Sequence, residues 1–207
     1  MQTIQEFLLK IAPNRDIAII LYAVFLTAVI YSVLPLVGYV LNKFEAVEMK
    51  FLSKIFGEKF AQFFCNRLTF IGTIIHEYSH AFFAKITGAT VTKISPVSLF
   101  KGDELGSVQY STKGNFIARS LQNVFTSAGP VIIGLLLIYI IGANLFSGNL
   151  SWWQYIIYIF LLICIINHSS MSPQDISIYY SGLKIAVPLT IVVLLIIMIL
   201  NSPATNV

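Results

Sequence analysis

Charge is scarce in this sequence. Lys, Arg, Asp and Glu together make up 11% of its 207 residues, against about a quarter in an ordinary soluble domain. With 57% hydrophobic residues, that excludes a soluble globular protein and predicts an integral membrane protein forming a single domain over residues 1–207. Cysteine is nearly absent too. Cys65 and Cys164 stand far apart in apolar surroundings, which excludes a disulfide framework or a cysteine-rich metal cluster and leaves two free core thiols. Clustered basic charge is missing: the net charge of +4 is scattered along the chain. This excludes a nucleic-acid partner and fits contact with the anionic headgroups of a lipid bilayer. There is no internal repeat, so the matching broken halves of a transporter are not in evidence.

Long apolar runs are what the chain does have. A membrane-crossing helix needs about 20 mostly apolar residues, and five stretches are candidates: 17–41, 68–87, 116–141, 152–166 and 185–200. The first holds Pro35, a potential kink, and is too long for the apolar core of a signal peptide, so it is expected to be a retained anchor. The fourth is short, but its paired Trp152 and Trp153 suit the headgroup level. Residues 45–64 alternate between apolar and charged and are expected to form an interfacial helix or short strands on the bilayer. Residues 89–111 are β-branched or alternating around "KGDE", which predicts a β-hairpin. The expected fold is therefore an all-α polytopic membrane protein of about five transmembrane helices with a small β-hairpin. Placing the N-terminus in the cytoplasm puts eight Lys and Arg inside against five outside, and leaves the uncharged loop 142–151 external. The expected location is the cell membrane.

The second stretch is unlike the others. It reads "GTIIHEYSHAFFA" over 72–84 and places His76, Glu77 and His80 in an otherwise oily segment, where ionisable groups are costly unless they have partners or a function. On a helix His76 and His80 are i and i+4, so both imidazoles project from one face, the geometry of two ligands on one tetrahedral zinc. Glu77 is rotated off that face, as suits a general base that acts beside the metal. Thr69, Thr73, His76, His80 and Ala84 form one small or polar stripe at helical spacing, expected to face the bundle interior. A hydrolytic zinc needs a third protein ligand and an open position. Asp103 and Glu104 in the hairpin turn, His168, and Asp175 in "NHSSMSPQDIS" are the candidates. Asp175 has no Lys or Arg near it in sequence, and a cation would explain a lone carboxylate there.

With these residues in place, the sequence resembles the site-2 protease family of intramembrane zinc metalloproteases. His76–Glu77–x–x–His80–Ala81–x–x–Ala84 followed by Gly88 resembles its HExxH helix, Ala128–Gly129–Pro130 its "AGP" element, and Asn167, Pro173 and Asp175 its Asn-x-x-Pro-x-x-Pro-x-Asp-Gly element. The likeness covers residues 68 to about 182, the expected metalloprotease core. The element departs where Ser170 replaces the first proline and Ile176 the glycine, and Ile133 stands where relatives often have Asn after "AGP". The resemblance implies a single zinc held by His76, His80 and Asp175, with Glu77 catalytic and Asn167 in contact with substrate. It implies a zinc metalloendopeptidase that cleaves a transmembrane protein substrate within or beside its membrane segment. The 207 residues leave no room for the PDZ or CBS domain that many relatives carry. The alternative is an inactive relative that binds a partner's helix, against which the retention of Glu77 argues. Neither the substrate nor a regulatory membrane partner can be read from the sequence.

Overall fold

The computed structural model describes residues 14–95 and 106–201; the expected turn at 101–104, with Asp103 and Glu104, lies outside them. Helix α1 spans Arg15–Phe56, 42 residues, or about 63 Å at 1.5 Å per residue. Asn14 starts it by accepting the Ile17 N–H at 2.9 Å, the usual way an N-cap side chain satisfies an orphan amide. Pro35 lies inside the helix and does not end it. Residues 45–56, expected as an interfacial helix or strands, instead continue α1 without a break. The physical reason is local: Glu, Ala, Met, Lys and Leu are good helix formers, and residues 45–56 contain no Gly or Pro. Gly57, at φ 87°, ends α1. Helix α2 (Glu58–Gln62) then runs into a π-helical turn at Phe63–Leu68 and on to α3 (Phe70–Ile86), which carries the two histidines.

The predicted hairpin is present. Strand β1 (Thr90–Ser95) pairs antiparallel with β2 (Ser107–Ser111), Thr90 opposite Ser111 and Ser95 opposite Ser107, with a bulge between Val91 and Lys93. Gly88, at φ 89°, lets the chain leave α3 in the left-handed conformation that suits glycine at a helix end. The base of the hairpin is pinned by Gln122, 2% exposed. Its Nε2 donates to the carbonyls of Thr87 and Lys113, and its Oε1 accepts the Lys113 N–H. One buried amide thus ties the end of α3 and the return from β2 to the next helix.

That helix, α4, spans Phe116–Leu145, followed by α5 (Trp152–His168) and α6 (Pro173–Leu200). Val124, Ala128 and Val131 of α4 meet Tyr179 and Ala186 of α6 and Met171 in the main core. α1 packs on α6 through Tyr31, whose hydroxyl lies 2.8 Å from that of Thr190, while the Tyr179 hydroxyl donates to the Tyr31 carbonyl at 2.9 Å. Three helices, α1, α4 and α6, are long and apolar enough to cross a membrane, and α5 is a shorter apolar helix. Leu36 at 62% and Ile199 at 63% exposure illustrate the apolar surface that α1 and α6 turn outward. Such a surface suits lipid rather than water. The fold is mostly α, with the one small hairpin among the described residues.

Candidate metal centre

The polar stripe predicted on α3 does face inward. Thr69, Thr73, His80 and Ala84 are buried and His76 is half-buried, while Tyr78, Phe82 and Ile86 on the opposite face are exposed. Close helix contact makes this possible. At Gly72 a Cβ would run into the Cys164 carbonyl of α5, and at Gly129 one would lie 2.9 Å from the Phe83 ring and 3.0 Å from the Ser79 carbonyl. The absent side chains let α4 and α5 reach the histidines with their backbones.

Those backbones fix both imidazoles. His76 Nδ1 lies 2.6 Å from the His168 carbonyl, and His80 Nδ1 lies 2.8 Å from the Thr126 carbonyl. A carbonyl only accepts, so each Nδ1 carries a proton and each ring turns its Nε2 inward. Both carbonyls are available for local reasons. His168 is the last residue of α5, where carbonyls have no partner within the helix. Thr126 lies four residues before Pro130, and proline has no N–H to give it. The "AGP" element therefore has a readable role in this chain: glycine allows the approach, and proline frees the carbonyl that orients His80.

The two Nε2 atoms face each other at 3.0 Å. Asp175 completes the group, its Oδ1 at 3.3 Å from His80 Nε2 and its Oδ2 at 3.8 Å from His76 Nε2. Two ligand atoms about 2.0–2.1 Å from a tetrahedral ion stand roughly 3.3–3.4 Å apart, so the three observed separations bracket that value. Two inward ring nitrogens beside a buried carboxylate are an arrangement that a metal cation would stabilise. Of the four candidates for third ligand, Asp175 joins the cluster and His168 does not. The His168 ring points away, with Nε2 at 2.9 Å from Thr69 Oγ1 and Nδ1 at 3.4 Å from Thr73 Oγ1. His76, His80 and Asp175 thus form a group that could hold a metal ion.

Sequence reasoning attributed the lone Asp175 to a cation and missed its second role. Ser172 and Asp175 form a capping box at the start of α6: the Ser172 N–H and hydroxyl donate to Asp175 Oδ2 at 2.9 and 2.7 Å, and the Asp175 N–H donates to Ser172 Oγ at 3.1 Å. The pattern Ser-x-x-Asp just before an apolar run was the available signal, and Pro173 at the first helical position strengthens it. The cap holds one carboxylate oxygen and leaves the other turned to His80.

A cavity of about 250 Å³ opens beside the cluster, lined by Glu45, Thr73, His76, Glu77, Asn167 and Ser172 among others. Glu77 and Asn167, both predicted site residues, therefore meet in one space. Asn167 is 3% exposed, and its Nδ2 has no hydrogen-bond partner among the described residues. A buried amide donor left unpaired is costly, and this one belongs to a residue that lines the cavity. Sequence reasoning did not find Glu45, because it stands on a helix distant in sequence and belongs to no motif.

Three substitutions probe these assignments. Asp175→Asn should weaken metal binding, and His168→Ala should leave metal content nearly unchanged; metal analysis of the purified proteins checks both, and the reverse result would move the third ligand. Pro130→Ala supplies Thr126 with a competing amide. It should lower metal affinity by up to about 10-fold, at the mild end of outer-shell effects, with no loss of thermal stability, measured by competitive chelation beside a melting curve.

None of the family models, curated proteins or solved structures compared with the chain matches it.

Proposed function

We propose that this protein is an intramembrane zinc metalloprotease that hydrolyses a peptide bond within or beside a transmembrane segment of a membrane protein. The observation that carries the proposal is the convergence of two carbonyl-oriented imidazoles and Asp175 next to a cavity holding Glu77 and the unpaired amide of Asn167. A metal site of purely structural role has no use for an adjacent carboxylate that is not a ligand, nor for an open polar cavity. Zinc would be held by His76, His80 and Asp175 and supplies Lewis acidity, which acidifies water and polarises a carbonyl.

The chain's own groups do the rest. A carboxylate oxygen of Glu77 takes the proton of the attacking water and delivers it to the nitrogen of the leaving amine. Asn167 Nδ2 donates to a backbone carbonyl of the substrate and holds the strand in place. A helical substrate must unwind before its peptide bond can be attacked, because its backbone groups are bonded to one another. A free edge of the β1–β2 hairpin offers the unwound strand replacement hydrogen bonds.

In this proposal five helices cross the cell membrane, α3 and α5 joining the three long ones, with the N-terminus in the cytoplasm. In a chain lacking Cys65 and Cys164, Asn149→Cys should react with an impermeant thiol reagent in intact cells and Asn14→Cys should not. The opposite labelling would invert the chain.

The direct test reconstitutes the zinc-loaded protein in vesicles with single-span membrane proteins and looks for cut products by mass spectrometry. Cleavage within or beside the span, stopped by a chelator and restored by zinc, supports the proposal. Binding of a partner helix with no cleavage in any zinc-loaded sample favours the inactive relative instead.

A further inference from the structure

Glu45 stands well away from the histidine motif in sequence, yet α1 delivers it to the cavity wall beside Thr73, His76, Glu77 and Asn167. It is half-buried. The residues three and four positions away on its helix are Leu41, Asn42, Glu48 and Met49, so no helical neighbour at ion-pair spacing offers a positive charge. Among the described residues no Lys or Arg lines the cavity. Among the described residues the acid–base contacts beside this cavity are those of Asp175 with His76 and His80, and neither involves Glu45.

The charge balance then points outward. Glu45 adds a second carboxylate to an open polar cavity that already holds Glu77, with no Lys or Arg beside it among the described residues, and a carboxylate so placed favours a cation in the same space. A solvated carboxylate on the charged half of α1 would be the plain explanation, but a side chain that only seeks water has no reason to face this cavity. Membrane proteins carry Lys and Arg just outside their apolar spans, so a substrate cut at the edge of its span brings such a cation with it.

We propose that Glu45 is a specificity-determining residue that pairs with a Lys or Arg side chain of the substrate next to the bond to be cut. The pairing selects segments in which an apolar span is followed at once by a basic residue. It rests on the proteolytic reading above, so the test separates binding from cleavage.

The probe is a synthetic single-span peptide, an Ala/Leu run of about 20 residues followed by Lys, Gln or Glu. Binding is measured by fluorescence anisotropy on zinc-loaded Glu77→Gln protein, with and without Glu45→Gln or Glu45→Lys. The Glu45-intact protein should bind the Lys peptide about 10-fold more tightly than the Glu peptide, the size of one charge-assisted contact. Glu45→Gln should flatten that preference, and Glu45→Lys should invert it with zinc content unchanged. An unaltered preference in both variants, or no preference with Glu45 intact, overturns the assignment, as does failure to bind any of the peptides. Cleavage is then scored with Glu77 restored. A charge-dependent preference without cleavage retains the Glu45 pairing and removes the proteolytic reading; cleavage indifferent to charge does the opposite.

Discussion

Replacing His76 or His80 by alanine should strip zinc from the purified protein. Each ring contributes an Nε2 held in place by a backbone carbonyl, and the two lie 3.0 Å apart. Removing one leaves a single imidazole and Asp175, and two ligands cannot enclose a tetrahedral ion. Affinity should fall by more than the roughly 100-fold that marks loss of an outer-shell partner. Elemental analysis against protein concentration checks this, with one zinc per chain expected for the unaltered sequence. Equal metal content in either variant would place the ion elsewhere. Helical structure should survive, because α3 is held by its contacts at Gly72 and Gly129 rather than by the metal, and circular dichroism separates loss of metal from loss of fold.

Glu77→Gln should do the reverse: zinc retained, turnover lost. The amide fills the same space beside the cavity but cannot accept the water's proton, so the rate should drop by about 10²–10⁴-fold, the range that general-base catalysis supplies. Substrate binding should persist, since Gln carries the same shape and Asn167 is untouched. Single-turnover cleavage at matched zinc occupancy is the measurement, and a wild-type rate in the variant would rule out the proposed role. A variant that lost both zinc and activity would make Glu77 a ligand instead, at odds with its absence from the His76–His80–Asp175 group.

What the sequence determined by itself is everything that depends on spacing along one helix or on the length of one apolar run. The i, i+4 placement of His76 and His80, the inward stripe from Thr69 to Ala84, the helices near 17–41, 116–141 and 185–200, and the hairpin after α3 are set by local periodicity, which the amino-acid order carries directly. The continuation of α1 through residues 45–56 was also local, since the run holds good helix formers and no breaker; alternating charge there looked like an interfacial segment because periodicity alone does not say where one helix stops. The tertiary structure decided what depends on which distant backbones come together. It turned the carbonyls of Thr126 and His168 onto the imidazoles, selected Asp175 over His168 through the capping box of α6, and brought Glu45 of α1 to the same cavity as Glu77 and Asn167. The physical reason is that a carbonyl has no side-chain identity to read, and a contact between helices is fixed by close approach at positions such as Gly72 and Gly129, which the one-dimensional order does not pair.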